Sequence, residues 1–433
     1  MTVPDPLPYA HAHFAPESIP LKILLSGHGS CHNRGCEAIV RTTAAILARR
    51  WPRARLRLPS QTPGHDAQVL ADATLPIQTE PQPRPMAARV LSRLQHRGWL
   101  HSDHHTWPLP VPPAWRRQLA GVDAVLAIGG DNYTLDYGIP TAIAGLDHCA
   151  RRMGIPVVLW GASVGPFDAR PAYGHALMHT LSRFTAIGAR ESHTADLLRA
   201  AGLEPVESVP DPAFDLPAEP WEDPALETHM EGARRIIALN LSPLVAARTG
   251  SGFHQEAARL LHQLSAEPGS RVVFIPHVAH PHDPDRGDHA VHEAVLRHAA
   301  LPEAQQRRIH LLPPTCRAGQ YKAVVARCHA LVAARTHLTI AAFSSGIPAV
   351  ALGYSQKAAG LDADLYGGQG LHLDAAAFSA EAVLERLQRA ESQGSRLCQR
   401  AAAAIAARRP GTEALLDRLQ AAVRAPGRDP ATA

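Results

Sequence analysis

Arg335 and His337 stand two residues apart, where the apolar segment Ala330–Ala334 gives way to Thr339-Ile340-Ala341-Ala342-Phe343. An arginine stays charged at any accessible pH and forks onto carboxylate or phosphate, while a histidine exchanges a proton near neutrality. One histidine among 26 says little by itself. An Arg-x-His at a strand-to-helix corner suits an anionic ligand whose chemistry needs a proton. Similar corners occur upstream. Gly129-Gly130-Asp131-Asn132-Tyr133 follows Ala124–Ile128, placing polar groups behind two glycines; Asp131 reads either as a base toward a hydroxyl or as the cap of a turn. Arg190 follows Phe184–Gly188 and reads either as a bidentate anion contact or as the salt-bridge partner of a neighbouring acid. Asn33 and Gly35 open a helix after a glycine turn. Free N–H groups and the helix dipole there favour an anion, and Gly35 lets backbone approach it closely. His277, His280, His282, Asp283, Asp285, Asp288 and His289 have the composition of a metal site, but Pro281 and Pro284 break the run and it lacks a fixed helical spacing. It reads as a cleft loop, with no metal expected.

These residues must be positioned by strands and helices, and the sequence alternates between them. Leu21–Leu25 is a short apolar run of the kind that forms a buried parallel strand, followed by Ser26-Gly27-His28-Gly29-Ser30 and a helix starting near Gly35. Further strand candidates are Arg55–Leu58, Ala124–Ile128, Pro156–Trp160, Phe184–Gly188 and Val206–Val209. A Pro-rich acidic stretch, Asp215–Pro224, interrupts the pattern. It restarts with Arg235–Leu239, Arg271–Ile275, Arg308–Leu312, Ala330–Ala334 and Pro348–Leu352. The expected fold is α/β, with two Rossmann-like domains facing across a cleft in a glycosyltransferase-B-like arrangement. The boundaries read as a flexible N-terminal segment over 1–20, a first domain over 21–215, a linker over 216–234, a second domain over 235–378, and C-terminal helices with a tail over 379–433. An insert at about 80–115 carries Trp99, Trp107, Trp115 and a basic amphipathic stretch from Met86 to Arg97. It reads as a surface loop with a covering helix, or as a foot on a membrane surface.

At 433 residues the chain exceeds what one core usually supports. Its net charge of +4 and the lack of a long basic run argue against a nucleic-acid partner. The six cysteines form no CxxC pair, which disfavours a disulfide framework. No apolar run approaches the roughly 20 residues that span a bilayer, and no signal peptide is visible, so the expected location is cytoplasmic, peripheral at the membrane face if the insert is a foot.

In order along the chain, Asn33-x-Gly35-x-Glu37-Ala38-Ile39, Gly129-Gly130-Asp131, Gly165-Pro166, Ala189-Arg190-Glu191, Asp211-Pro212-Ala213-Phe214, Ile275-Pro276-His277, Arg335-x-His337 and Gly346-Ile347-Pro348 with Tyr354 and Lys357 resemble the polysaccharide pyruvyl transferase family. The resemblance runs from about Leu21 to Gly360. It implies an enzyme that transfers the pyruvyl group of phosphoenolpyruvate as a ketal onto a sugar of a polysaccharide or its lipid-linked precursor, releasing phosphate, with phosphoenolpyruvate as co-substrate and no cofactor. By the same resemblance Arg190, Arg335 and His337 belong to the donor and catalytic site. Together with the residue readings above, the expected catalytic residues are His337, Arg335 and Asp131, and the expected substrate-binding residues are Arg190, Asn33, Gly35, Gly130, Asn132, His277 and Lys357. Cys36 is a departure, because many relatives carry an acid there. Two rivals remain. One is a nucleotide-sugar-dependent glycosyltransferase of the same architecture, disfavoured because Thr339–Ser345 offers no acid to a donor ribose; the other is a non-catalytic glycan-assembly protein.

Overall fold

The computed structural model describes residues 20–99, 106–136, 138–280, 283–353, 360, 362–368 and 371–425. The first sheet comprises β1 (Lys22–Ser26), β2 (Arg55–Ser60), β3 (Ile77–Pro81), β4 (Ala124–Ala127), β5 (Val157–Ala162), β6 (Ala186–Ala189) and β7 (Val206–Ser208), ordered β3-β2-β1-β4-β5-β6-β7. The second comprises β8 (Arg235–Asn240), β9 (Ser270–Phe274), β10 (Ile309–Leu311), β11 (Ala330–Ala333), β12 (Ala349–Gly353) and β13 (His372–Asp374), ordered β10-β9-β8-β11-β12-β13. Every pairing is parallel. Helices cover both faces of such sheets, which is why β4 (AVLA), β5 (VVLWGA) and β11 (ALVA) are buried at every residue and read as continuous apolar runs.

In each sheet the strand order reverses beside its first strand, between β1 and β4 and between β8 and β11. Loops leaving the carboxyl ends of those strands diverge there and open a crevice. The two crevices meet. The backbone N–H of Arg34 donates to His277 O at 3.1 Å, and Ala279 N–H donates to His32 O at 3.0 Å. Asn33 thereby forms an isolated antiparallel bridge with Val278.

Two parts of the chain take places that their composition does not announce. Trp107 and Trp115 are each 1 % exposed, and their rings meet at 4.6 Å over Gly145 of the helix Thr141–Arg152. Much of the insert is therefore a packed layer against the first sheet. The final helix, Gly394–Arg424, follows the second domain in sequence but packs on the first. Leu415 sits against Gly188, Arg409 pairs with Asp215 at 2.6 Å, and Arg418 pairs with Glu207 at 3.0 Å. Among the described residues, no helix is long and apolar enough to cross a membrane.

Candidate active site

The helix Arg34–Arg50 begins the site. Asn33 takes extended dihedrals and its side-chain oxygen accepts the Gly35 N–H at 3.0 Å, the N-cap geometry its sequence predicts. Gly35 has a steric reason to lack a side chain. A Cβ there would stand 2.4 Å from His337 Nδ1, so the imidazole of the second domain lies directly over the helix start. His337 is in the first turn of the helix Thr336–Ser344, which leaves β11. Its Nε2 lies 3.5 Å from Asp211 Oδ2, an ion-pair distance that falls short of a well-formed hydrogen bond.

Asp211 joins the two domains. The same oxygen, Oδ2, accepts from Arg190 Nη1 at 2.7 Å. Arg190 also reaches Asp131 Oδ1 at 2.6 Å through Nη2 and donates to Ser163 Oγ at 2.8 Å through Nε, with Glu191 at 3.3 Å. Burial disfavours the Arg190 charge, but Asp131, Asp211 and Glu191 outweigh it and raise its proton affinity further. For Asp211, burial pushes the carboxyl up, yet the charges of His337 and Arg190 hold it well below the usual range. Removing Arg190 would leave buried carboxylates unpaired, a change that typically costs about 3–5 kcal/mol.

Gly130 lies against this guanidinium, since a Cβ there would meet Arg190 Nη1 at 2.4 Å. Asn132 fastens two loops together, its amide donating to Gly27 O at 2.7 Å and to Ile128 O at 2.8 Å. Asp131 keeps 23 % of its side chain exposed to the crevice.

Across the cleft, Arg335 forms a forked pair with Asp288, at 2.6 Å from Nη2 and 3.1 Å from Nε. Asp288 is fully buried and also accepts the His277 and Val278 N–H groups at 3.1 Å and the Asn240 amide at 3.0 Å. The acid from the histidine- and aspartate-rich stretch therefore orients the arginine and shapes the loop after β9. His277 itself is 4 % exposed. Burial, followed by the charges of His337, Arg335 and Arg34, keeps its ring neutral. The predicted binding residue Lys357 lies outside the described residues.

Asp211 and Asp288 are the functional groups that sequence reasoning underrated. The first carried a signal, an Asp-Pro pair after the last strand of a sheet. The second was hidden among seven metal-type residues. Among the described residues the grouping that brings metal-type ligands together is instead His28, Cys31 and Asp66. There the Asp66 carboxylate is already engaged by His28 at 2.7 Å, Ser60 at 2.6 Å, Thr62 at 3.1 Å and the Cys31 N–H at 3.0 Å, which fixes the first glycine turn. Cys36 gives the site no acid, because burial pushes its thiol up to about 11.

The neutral buried histidines predict an acid-sensitive fold. His292 and His229 are each held at about 4, burial being the main cause, and His277 is held well below 6.5. Their unfolded forms bind protons near 6.5. The folded values are depressed, so this stability is fully present above about pH 7 and declines as pH falls below the unfolded value. Asp211 and Asp66, the latter held at about 2, add losses only at still lower pH. The melting temperature should drop between pH 7 and pH 5 in a scanning fluorimetry series. Burial pushes the Asp147 carboxyl up to about 6, so its protonation in the fold offsets part of this drop; a melting temperature that rises over that window would mean that these rings are not neutral in the fold.

Comparison with known proteins agrees with this construction. The chain is 24 % identical over 372 residues to the amylovoran biosynthesis protein AmsJ of Erwinia amylovora, covering 79 % of this chain and 85 % of that one. It superposes on the UDP-GlcNAc 2-epimerase of Neisseria meningitidis bound to UDP-GlcNAc with a TM-score of 0.58 at 11 % identity, over 93 % of this chain and all of that one. It superposes on Phytolacca americana UGT2, complexed with UDP-2-fluoro-glucose and pterostilbene, with a TM-score of 0.55 at 13 % identity, over 94 % of this chain and all of that one. At such identities the structural likeness shows a shared glycosyltransferase-B-like fold and nothing about ligands. Sequence goes further: the family model for polysaccharide pyruvyl transferase matches residues 33–356, a span that opens at the N-cap Asn33 and encloses Asp131, Arg190, Asp211, Arg335 and His337. With that match, the chain belongs to the polysaccharide pyruvyl transferase family.

Proposed function

We propose that this protein transfers the pyruvyl group of phosphoenolpyruvate onto two hydroxyls of a sugar, in a polysaccharide or its lipid-linked precursor, as a ketal. The observation that most supports this reading is the junction at Asp211 Oδ2, where His337 of one domain and Arg190 of the other converge on a single carboxylate oxygen.

The reaction needs a proton on the methylene carbon of the donor, attack of a hydroxyl at the adjacent carbon, loss of phosphate and attack by a second hydroxyl. One hydroxyl proton ends on the new methyl group and the other on phosphate. His337, whose Nε2 lies 3.5 Å from Asp211 Oδ2, is the group placed to protonate the methylene. Asp131 faces the crevice and accepts the proton of the attacking hydroxyl. Arg335, oriented by Asp288, holds donor charge and stabilises the departing phosphate. In this reading Arg190 is a positioning residue. Its guanidinium is occupied by Asp131, Asp211 and Glu191, so it sets the geometry and charge of the two working aspartates. The test is release of phosphate from phosphoenolpyruvate that depends on a sugar acceptor.

A further inference from the structure

The helix Met86–His96 buries Ala88, Leu91 and Gln95 and turns the opposite face outward. Gln95 is locked in place by the Thr141 hydroxyl, which donates to it at 2.7 Å. The outward face does not look like a solvated surface. Met86 is 77 % and Val90 48 % exposed, one turn apart, and Trp99 just beyond the helix is 70 % exposed. Single exposed apolar side chains need no explanation, whereas three large ones on one short segment do. Arg89 and Arg93 share this outward face, and Arg84 and Arg97 flank it; from Pro81 to Trp99 there is no aspartate or glutamate. Arg97 lies over the Trp99 ring at 5.1 Å. An apolar ridge bracketed by arginines, with an indole at its end, has the composition of an interfacial helix.

A second feature lies beside it. A groove of about 460 Å³ is lined by Arg84, Arg89 and Arg93 on one side and by Ile139 and Pro140 on the other. Gln61 also lines it and donates its backbone N–H to Gly29 O at 2.9 Å, at the glycine turn of the cleft. The basic groove and the crevice thus share a loop.

We propose that this face docks on the anionic surface of a lipid bilayer, with Met86, Val90 and Trp99 entering the headgroup layer and Arg84, Arg89, Arg93 and Arg97 pairing with lipid phosphates. The charge argues for this occupant over a second copy of the chain, because two such faces would set arginine against arginine. The inference does not rest on the donor chemistry. It concerns where the cleft is held, and a membrane-borne acceptor would meet it there.

The test uses the full chain and vesicles of phosphatidylglycerol, with phosphatidylcholine as control. The wild-type protein should co-sediment with the anionic vesicles at low salt, lose much of that binding at 0.5 M salt, and show a blue shift in tryptophan emission that is absent in Trp99→Phe. Arg89→Glu with Arg93→Glu should weaken vesicle binding on the order of tenfold or more. Met86→Ser with Val90→Ser should abolish the blue shift while melting temperature and turnover on a water-soluble acceptor stay unchanged. Absence of binding to anionic vesicles, or binding untouched by both double variants, overturns the proposal. A concentration-dependent dimer that Met86→Ser with Val90→Ser dissolves, in a protein that ignores vesicles, would assign the face to a second copy instead.

Discussion

His337→Ala should lower turnover by roughly 10²-fold or more, the usual scale for loss of a general acid, while phosphoenolpyruvate still binds. The reason is geometric. The imidazole lies over Gly35 with its Nε2 toward Asp211, placed to carry a proton but not to hold the full donor charge. His337→Gln separates the roles, since glutamine donates a hydrogen bond but does not transfer a proton. It should be as slow as the alanine variant. If glutamine restores full turnover, the histidine only positions the donor. If both variants lose donor binding and keep their maximal rate, His337 belongs with Arg335 in an anion pocket.

Arg335→Lys should reduce the specificity constant for phosphoenolpyruvate by roughly 10²–10³-fold, the scale seen when one preorganised electrostatic contact to a developing charge is removed. Lysine keeps the charge but loses the forked geometry that Arg335 shows toward Asp288. The choice of lysine matters. Asp288 is fully buried, so alanine would leave its carboxylate unpaired and confound lost activity with lost stability. The lysine variant should melt within a few degrees of wild type. Near-normal activity in that variant would mean that Arg335 serves only to neutralise Asp288.

The sheets were legible because their central strands are buried on both faces. Ala124–Ile128 and Ala330–Ala334 read as uninterrupted apolar runs and Leu21–Leu25 as one broken only by Lys22; the structure places β4 and β11 within the first two and β1 across the third, ending one residue later at Ser26. The edges were not. β3 (Ile77-Gln-Thr-Glu-Pro) and β13 (His372-Leu-Asp) have little apolar content, since an edge strand packs and pairs on fewer sides. Corners that present single charged residues were also visible from local pattern, which is how Arg335, His337 and Asp131 came forward. What the pattern does not carry is which charges meet. Arg190 reads equally well as an anion contact or an ion-pair partner until the ends of β4, β6 and β7 bring Asp131, Glu191 and Asp211 onto one guanidinium. The last helix shows the same limit. Its alternation of alanine and arginine gives an amphipathic face, but nothing local says that Leu415 will close against Gly188 in the other domain.

The most direct measurement is the reaction in D₂O with ¹³C-labelled phosphoenolpyruvate and a panel of soluble sugar acceptors, following phosphate and the pyruvyl methyl carbon together. Proton transfer to the methylene should place one solvent deuterium in each new methyl group. Phosphate release should match ketal formation one for one, require the acceptor, and fall in His337→Ala and Arg335→Lys. Phosphate release without a ketal, or turnover of a nucleotide sugar in place of phosphoenolpyruvate, would contradict the assignment of this cleft to pyruvyl transfer.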